Sequence, residues 1–158
     1  MHAQSPRYVL TLSLVMLAAG VSGTCGGSAP TSPSGETSFL SGTWTGTLTI
    51  TRTGQPDITG PTTWTFEVVP QTNLQTFRTT INSQHSWLPV STTASTGLTP
   101  GNTPPAQIST QGQFDSPRGC RGTFGSVGTA NASRIEADFT GVDCSQATFR
   151  GNVVLTKD

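Results

Sequence analysis

Charge is what this chain has least of. Charged residues make up 10% of its 158 positions, 8 basic against 8 acidic, for a formal net charge of zero. Lys157 is the single lysine. Proteins that hold nucleic acid neutralise phosphates with clustered Lys and Arg, so no phosphate-backbone binder is expected. Histidine is nearly absent too. Beyond the N-terminal region only His85 remains, in the turn Asn82-Ser83-Gln84-His85-Ser86, and a general acid–base enzyme needs a positioned, tuned titratable group. No nucleophile-elbow motif accompanies the many serines. One histidine and three cysteines do not form a clustered ligand set, so neither metal nor cofactor is expected. No segment after the N-terminal region is long and apolar enough to span a membrane as a helix, and none shows sustained helical spacing of apolar residues.

The long apolar run that does exist stands at the start. Arg7 is followed by Tyr8-Val9-Leu10-Thr11-Leu12-Ser13-Leu14-Val15-Met16-Leu17-Ala18-Ala19 and then by the small residues Gly20, Ser22 and Gly23. That is the order of a secretory signal peptide over residues 1–24. Residues 25–38 follow as a Gly/Ser/Pro tether without core-forming side chains, and residues 39–158 read as one domain.

Export to an oxidising compartment makes the three cysteines informative. Cys120 and Cys144 lie in the body of the domain. Paired, they close a loop of about 25 residues, for roughly 3–4 kcal/mol in the chain-entropy model; two buried free thiols are the alternative. Cys25 is then the odd one. It resembles the lipidated cysteine of bacterial lipoproteins, which follows a short lipobox and becomes an acylated mature N-terminus. The box here reads Ser22-Gly23-Thr24, with threonine where that family has Gly or Ala. Gly26 stands where its inner-membrane retention Asp would be. The resemblance implies an outer-membrane lipoprotein, held to the membrane only through the lipid on Cys25. Ordinary cleavage after Gly20 or Gly23 would instead release a periplasmic or extracellular protein.

From Phe39 onward the pattern has period two, as half-buried antiparallel strands require. Trp44, Leu48 and Ile50 share one face with threonines on the other; Trp64, Phe66 and Val68 follow, then Phe77, Thr79 and Ile81. Trp87-Leu88-Pro89-Val90 starts an irregular fourth strand. The fifth carries Ile108, Thr110, Gly112 and Phe114; the sixth Cys120, Gly122 and Phe124; the seventh Ile135, Ala137 and Phe139; the eighth Phe149, Gly151, Val153 and Leu155. Inward glycines at Gly46, Gly112, Gly122 and Gly151 suit the tight bending of a small closed barrel. The fold expected is therefore all-β, an antiparallel up-and-down β-barrel of about eight strands, with a β-sandwich as the alternative.

Phe39-Leu40-Ser41-Gly42-Thr43-Trp44 resembles the Gly-x-Trp opening of the calycins, the lipocalin and avidin group. The resemblance implies a Trp plugging one barrel end, and Arg150 as the late-strand arginine packed on it. Thr45 and Gly46 replace the polar and aromatic residues of avidin's site, so biotin binding is not implied. The function expected is a non-enzymatic, exported barrel that binds a small apolar ligand. Trp44, Trp64, Phe66, Phe77 and Trp87 are the candidate residues of its interior or mouth. The alternative is a protein-interaction module, such as a hydrolase inhibitor or an envelope adhesion or structural element, acting on an envelope protein. A packed interior with an ordered loop around residues 99–105 would mark that second case.

Overall fold

In the computed structural model the described residues are 37–70, 72–84, 92–116, 119–143 and 146–158. They form eight strands and, among the described residues, no helix: β1 (Gly42–Arg52), β2 (Ile58–Val68), β3 (Thr76–Ser83), β4 (Thr92–Thr99), β5 (Ala106–Asp115), β6 (Arg121–Ala130), β7 (Arg134–Val142) and β8 (Thr148–Lys157). Each strand pairs antiparallel with its sequence neighbours, and β1 pairs with β8, from Trp44↔Lys157 to Arg52↔Phe149. The sheet is a closed up-and-down barrel. Closure leaves no unpaired strand edge to recruit another chain.

Reversal at every turn sorts the connections between two ends. Those after β1, β3, β5 and β7 lie at one, the turn end. Those after β2, β4 and β6 lie at the other, with the entry to β1 and the exit from β8. The alternation that the sequence predicts is the one observed: Trp44, Leu48 and Ile50 are buried, while Thr43, Thr45, Thr47, Thr49 and Thr51 face out. β-Branched residues suit the outer face of a pleated sheet because their stiff side chains fit it at little entropic cost.

One expectation falls outside the described residues and one needs correcting. Among the described residues the fourth strand is Thr92–Thr99; the start expected at Trp87 falls on residues 85–91, outside them. Its inward residues are Thr92, Ala94, Thr96 and Leu98, so half of its buried face is hydroxyl and no apolar periodicity betrays it. Cys120 precedes β6 in the turn instead of pointing inward from the strand.

The core holds two aromatic clusters. Trp44, Trp64, Phe66 and Phe77, from β1 to β3, meet edge-on or tilted at centroid distances of 6.1–6.4 Å. Phe114, Phe124, Phe139 and Phe149, from β5 to β8, pack toward the turn end, with Phe124 and Phe139 stacked at 5.0 Å. Glycine makes room for this second cluster. Gly112 faces Phe124, Gly122 faces Phe114 and Gly141 faces Phe149 across neighbouring strands. A methyl built on Gly122 would lie 2.5 Å from the Phe114 ring, and one on Gly112 2.7 Å from Phe124. Each ring lies over the bare backbone of its partner, a cross-strand pairing that lets a narrow barrel bend and stay filled.

Candidate functional site

The end where the chain enters is closed by the chain itself. Residues before β1 fold over it, with Ser38 and Leu40 buried. Ser38 Oγ donates to Asn102 Oδ1 at 2.5 Å, and Phe39 N donates to the same oxygen at 3.1 Å. Trp44 Nε1 donates to Leu40 O at 2.8 Å beneath them. Lys157 Nζ donates to Phe39 O at 2.5 Å and stands 5.5 Å from the Trp44 ring, within cation–π range. Lys157, not Arg150, is therefore the cation on this tryptophan. Arg150 pairs with Thr51 near the opposite end. The connection after β4 is tied to the plug by Asn102, leaving Thr103, Pro104 and Pro105 exposed.

Of the predicted ligand residues, Trp44, Trp64, Phe66 and Phe77 do come together inside the barrel. Their relative exposure is 0%, 1%, 2% and 0%, and their rings are in contact with one another. Trp64 Nε1 donates to Thr62 Oγ1 at 3.1 Å, which donates to Asn82 O, so the buried indole is satisfied. Trp87 lies outside the described residues. A hydroxyl ladder crosses the same interior: Thr79 Oγ1 to Thr96 Oγ1 at 2.6 Å, and Thr96 Oγ1 to Thr110 Oγ1 at 2.8 Å. Ser126 faces Thr110 on the next strand, yet its hydroxyl is buried with no hydrogen-bond partner, as is that of Thr92. Buried hydroxyls are tolerated in an apolar core when they bond to one another; an unpaired one costs about 1–3 kcal/mol.

The turn end is fastened differently. Arg52, the last residue of β1, donates from Nη2 to Asp143 Oδ2 at 3.1 Å, with side-chain exposures of 9% and 0%. Asp143 Oδ1 accepts from Ala147 N at 3.0 Å, and Asp143 O accepts from Gln146 N at 2.9 Å. One carboxylate thus closes the β7–β8 turn and joins it to β1. Cys120 sits half-buried in the β5–β6 turn. Cys144, Cys25 and His85 lie outside the described residues. Among the described residues no group of three or more His, Cys, Asp or Glu side chains is placed to hold a metal ion.

Open space lies on the outer wall. A groove of about 900 Å³ runs over β6, β7, β8 and β1 near the turn end, walled by Thr51, Thr123, Thr140, Thr148 and Arg150. A second groove, of about 670 Å³, shares Thr123, Gly125 and Thr140 with it and reaches Gln111 and Gln113 on β5. Gly125 carries no side chain between Gln111 and Thr140, its cross-strand neighbours, and the wall dips there. The exposed valines do not make an apolar patch: Val127 is 62% exposed but faces Asp138, and Val142 faces Thr123. Sequence reasoning missed this surface because outward threonines are ordinary strand residues one at a time. Only the register of four strands sets them beside Arg52 and Arg150. Searches against protein-family models, curated proteins and solved structures find no match.

Proposed function

We propose that this chain is a non-enzymatic binding module of the cell envelope whose ligands meet the outside of its barrel. One observation carries the reading: the four aromatic residues expected to line an interior ligand site are 0–2% exposed and packed ring against ring. An apolar ligand would have to displace core side chains that together bury several kcal/mol of apolar surface. Concave space lies on the outer wall, where threonines and arginines stand beside Phe124, Val142 and Phe149. This favours the interaction-module alternative over the internal carrier of a small apolar molecule.

The signal-like N-terminus and Cys25 support export and a lipid anchor. The chain enters the barrel through Ser38 at the plugged end. A Cys120–Cys144 disulfide fits the same oxidising setting. It would tie two turns that open at the same end.

The test is a titration of the purified full chain with N-phenyl-1-naphthylamine, followed by probe emission and tryptophan quenching. The expected result is no saturable binding. Stoichiometric binding that quenches tryptophan, weakened by Trp64→Ala, would overturn the reading in favour of an interior ligand. Intact mass of the mature form beside Cys25→Ser tests the anchor. Acyl chains on a species beginning at Cys25 are expected, and an unacylated species beginning at Val21 or Thr24 would refute it.

A further inference from the structure

We infer that the outer-wall groove binds an acidic oligosaccharide, with Arg150 taking its carboxylate. The inference deepens the proposed function and rests on its placing of the binding surface outside the barrel. Arg150 is exposed on β8, between Thr51 of β1 and Thr140 of β7, its direct cross-strand partners. Its side chain forms no ion pair or hydrogen bond among the described residues. Arg52, Arg121 and Arg134 each have a carboxylate partner. A solvated arginine on a convex surface would mean little, but this one stands in the wall of the 900 Å³ groove, surrounded by threonine hydroxyls. Asp138 lines the second groove and borders a smaller hollow of about 360 Å³ with Arg150, but does not pair with it, so the ligand's carboxylate is placed at the Arg150 end.

The chemistry of the walls selects the ligand. A guanidinium presents a planar fork of donors that matches a carboxylate in two parallel bonds. Threonine hydroxyls and the amides of Gln111 and Gln113 both donate and accept, which suits the hydroxyl-covered rim of a sugar ring. The continuation from Arg150 past Gly125 to Gln111 is an extended path over four strands. At about 4.8 Å between strands, it is long enough for a few linked sugars and too long for a single small anion.

The experiment is isothermal titration calorimetry of the purified full chain with hexasaccharides of galacturonate, mannuronate and hyaluronan, with neutral chitohexaose and sodium sulfate alongside. Saturable binding of at least one acidic hexasaccharide is expected, weakened by added salt. Arg150→Gln should lower that affinity about tenfold or more, the scale of one lost charge-assisted contact. Arg78→Gln, on β3 away from the groove, should leave it unchanged. Each of three results would overturn the inference: no acidic hexasaccharide binds, chitohexaose binds equally well, or Arg150→Gln binds like the parent chain. If sulfate competes fully at the same site, the groove is a simple anion site and the saccharide assignment falls. The apolar-probe titration reports on the interior and this one on Arg150, so each idea can fail without the other.

Discussion

The two ends of this barrel are closed by opposite means. At one, a stretch of backbone lies across the opening and is held by neutral hydrogen bonds, from Ser38 and Phe39 to Asn102 and from Trp44 to Leu40, with Lys157 above. At the other, no strand of chain crosses among the described residues, and one buried ion pair, Arg52–Asp143, joins the first strand to the last turn. The aromatic filling differs in step. Indoles with their own hydrogen bonds sit under the plug. Phenyl rings laid over facing glycines fill the turn end. Many weak contacts make a closure that degrades gradually. A buried ion pair makes one that fails more sharply, since removing either member takes the counter-charge from the other in a medium that solvates it poorly.

The largest effect should therefore come from the turn end. Asp143→Ala leaves Arg52 buried without its carboxylate and opens the β7–β8 turn, for an expected loss of about 3–5 kcal/mol in urea denaturation. Combining it with Arg52→Met should recover a large part of that loss, because the stranded charge is gone. If the double variant is as unstable as the single, the ion pair is not what distinguishes this end. A smaller effect is expected at the plug. Asn102→Ala removes the acceptor for Ser38 and Phe39 and should cost about 1–2 kcal/mol. Amide exchange should accelerate at Phe39 and Leu40 and not in β7 or β8. Uniform acceleration over the whole barrel would mean the plug is not a separable unit.

The smallest effect has the opposite sign and tests what lies between the ends. Ser126→Ala deletes a buried hydroxyl that bonds to nothing, so thermal denaturation should show stability unchanged or raised by up to about 1 kcal/mol. A clear loss of stability would show that Ser126 belongs to the hydroxyl ladder of Thr79, Thr96 and Thr110.

Seven strands were legible because apolar and polar residues alternate along them. Ile135, Ala137 and Phe139 against Arg134, Glu136 and Asp138 is the plainest case. β4 was not, because Thr92 and Thr96 occupy buried positions that hydrophobic patterning counts as polar. That the four aromatic residues pack ring against ring was not legible for a related reason. A tryptophan in a sequence looks the same whether it lines a cavity or fills it, and burial is settled by what the other seven strands bring against it. Arg150 was expected on Trp44, but strand register puts it near the far end and gives Trp44 to Lys157.

What the sequence by itself determined is local: which stretches are strands, which face of most of them turns inward, and where glycine permits close approach. Period-two alternation and the missing Cβ act within a few residues, so they can be read from the chain alone. Only the tertiary structure decided that the sheet closes, that Gly112, Gly122 and Gly141 each lie under a phenyl ring, and that Arg52 finds Asp143. It also decided that threonines from β1, β6, β7 and β8 share one groove with Arg150. These are cross-strand relations. They depend on register and closure, and a shift of one residue in register would turn every one of these side chains to the other face of the sheet.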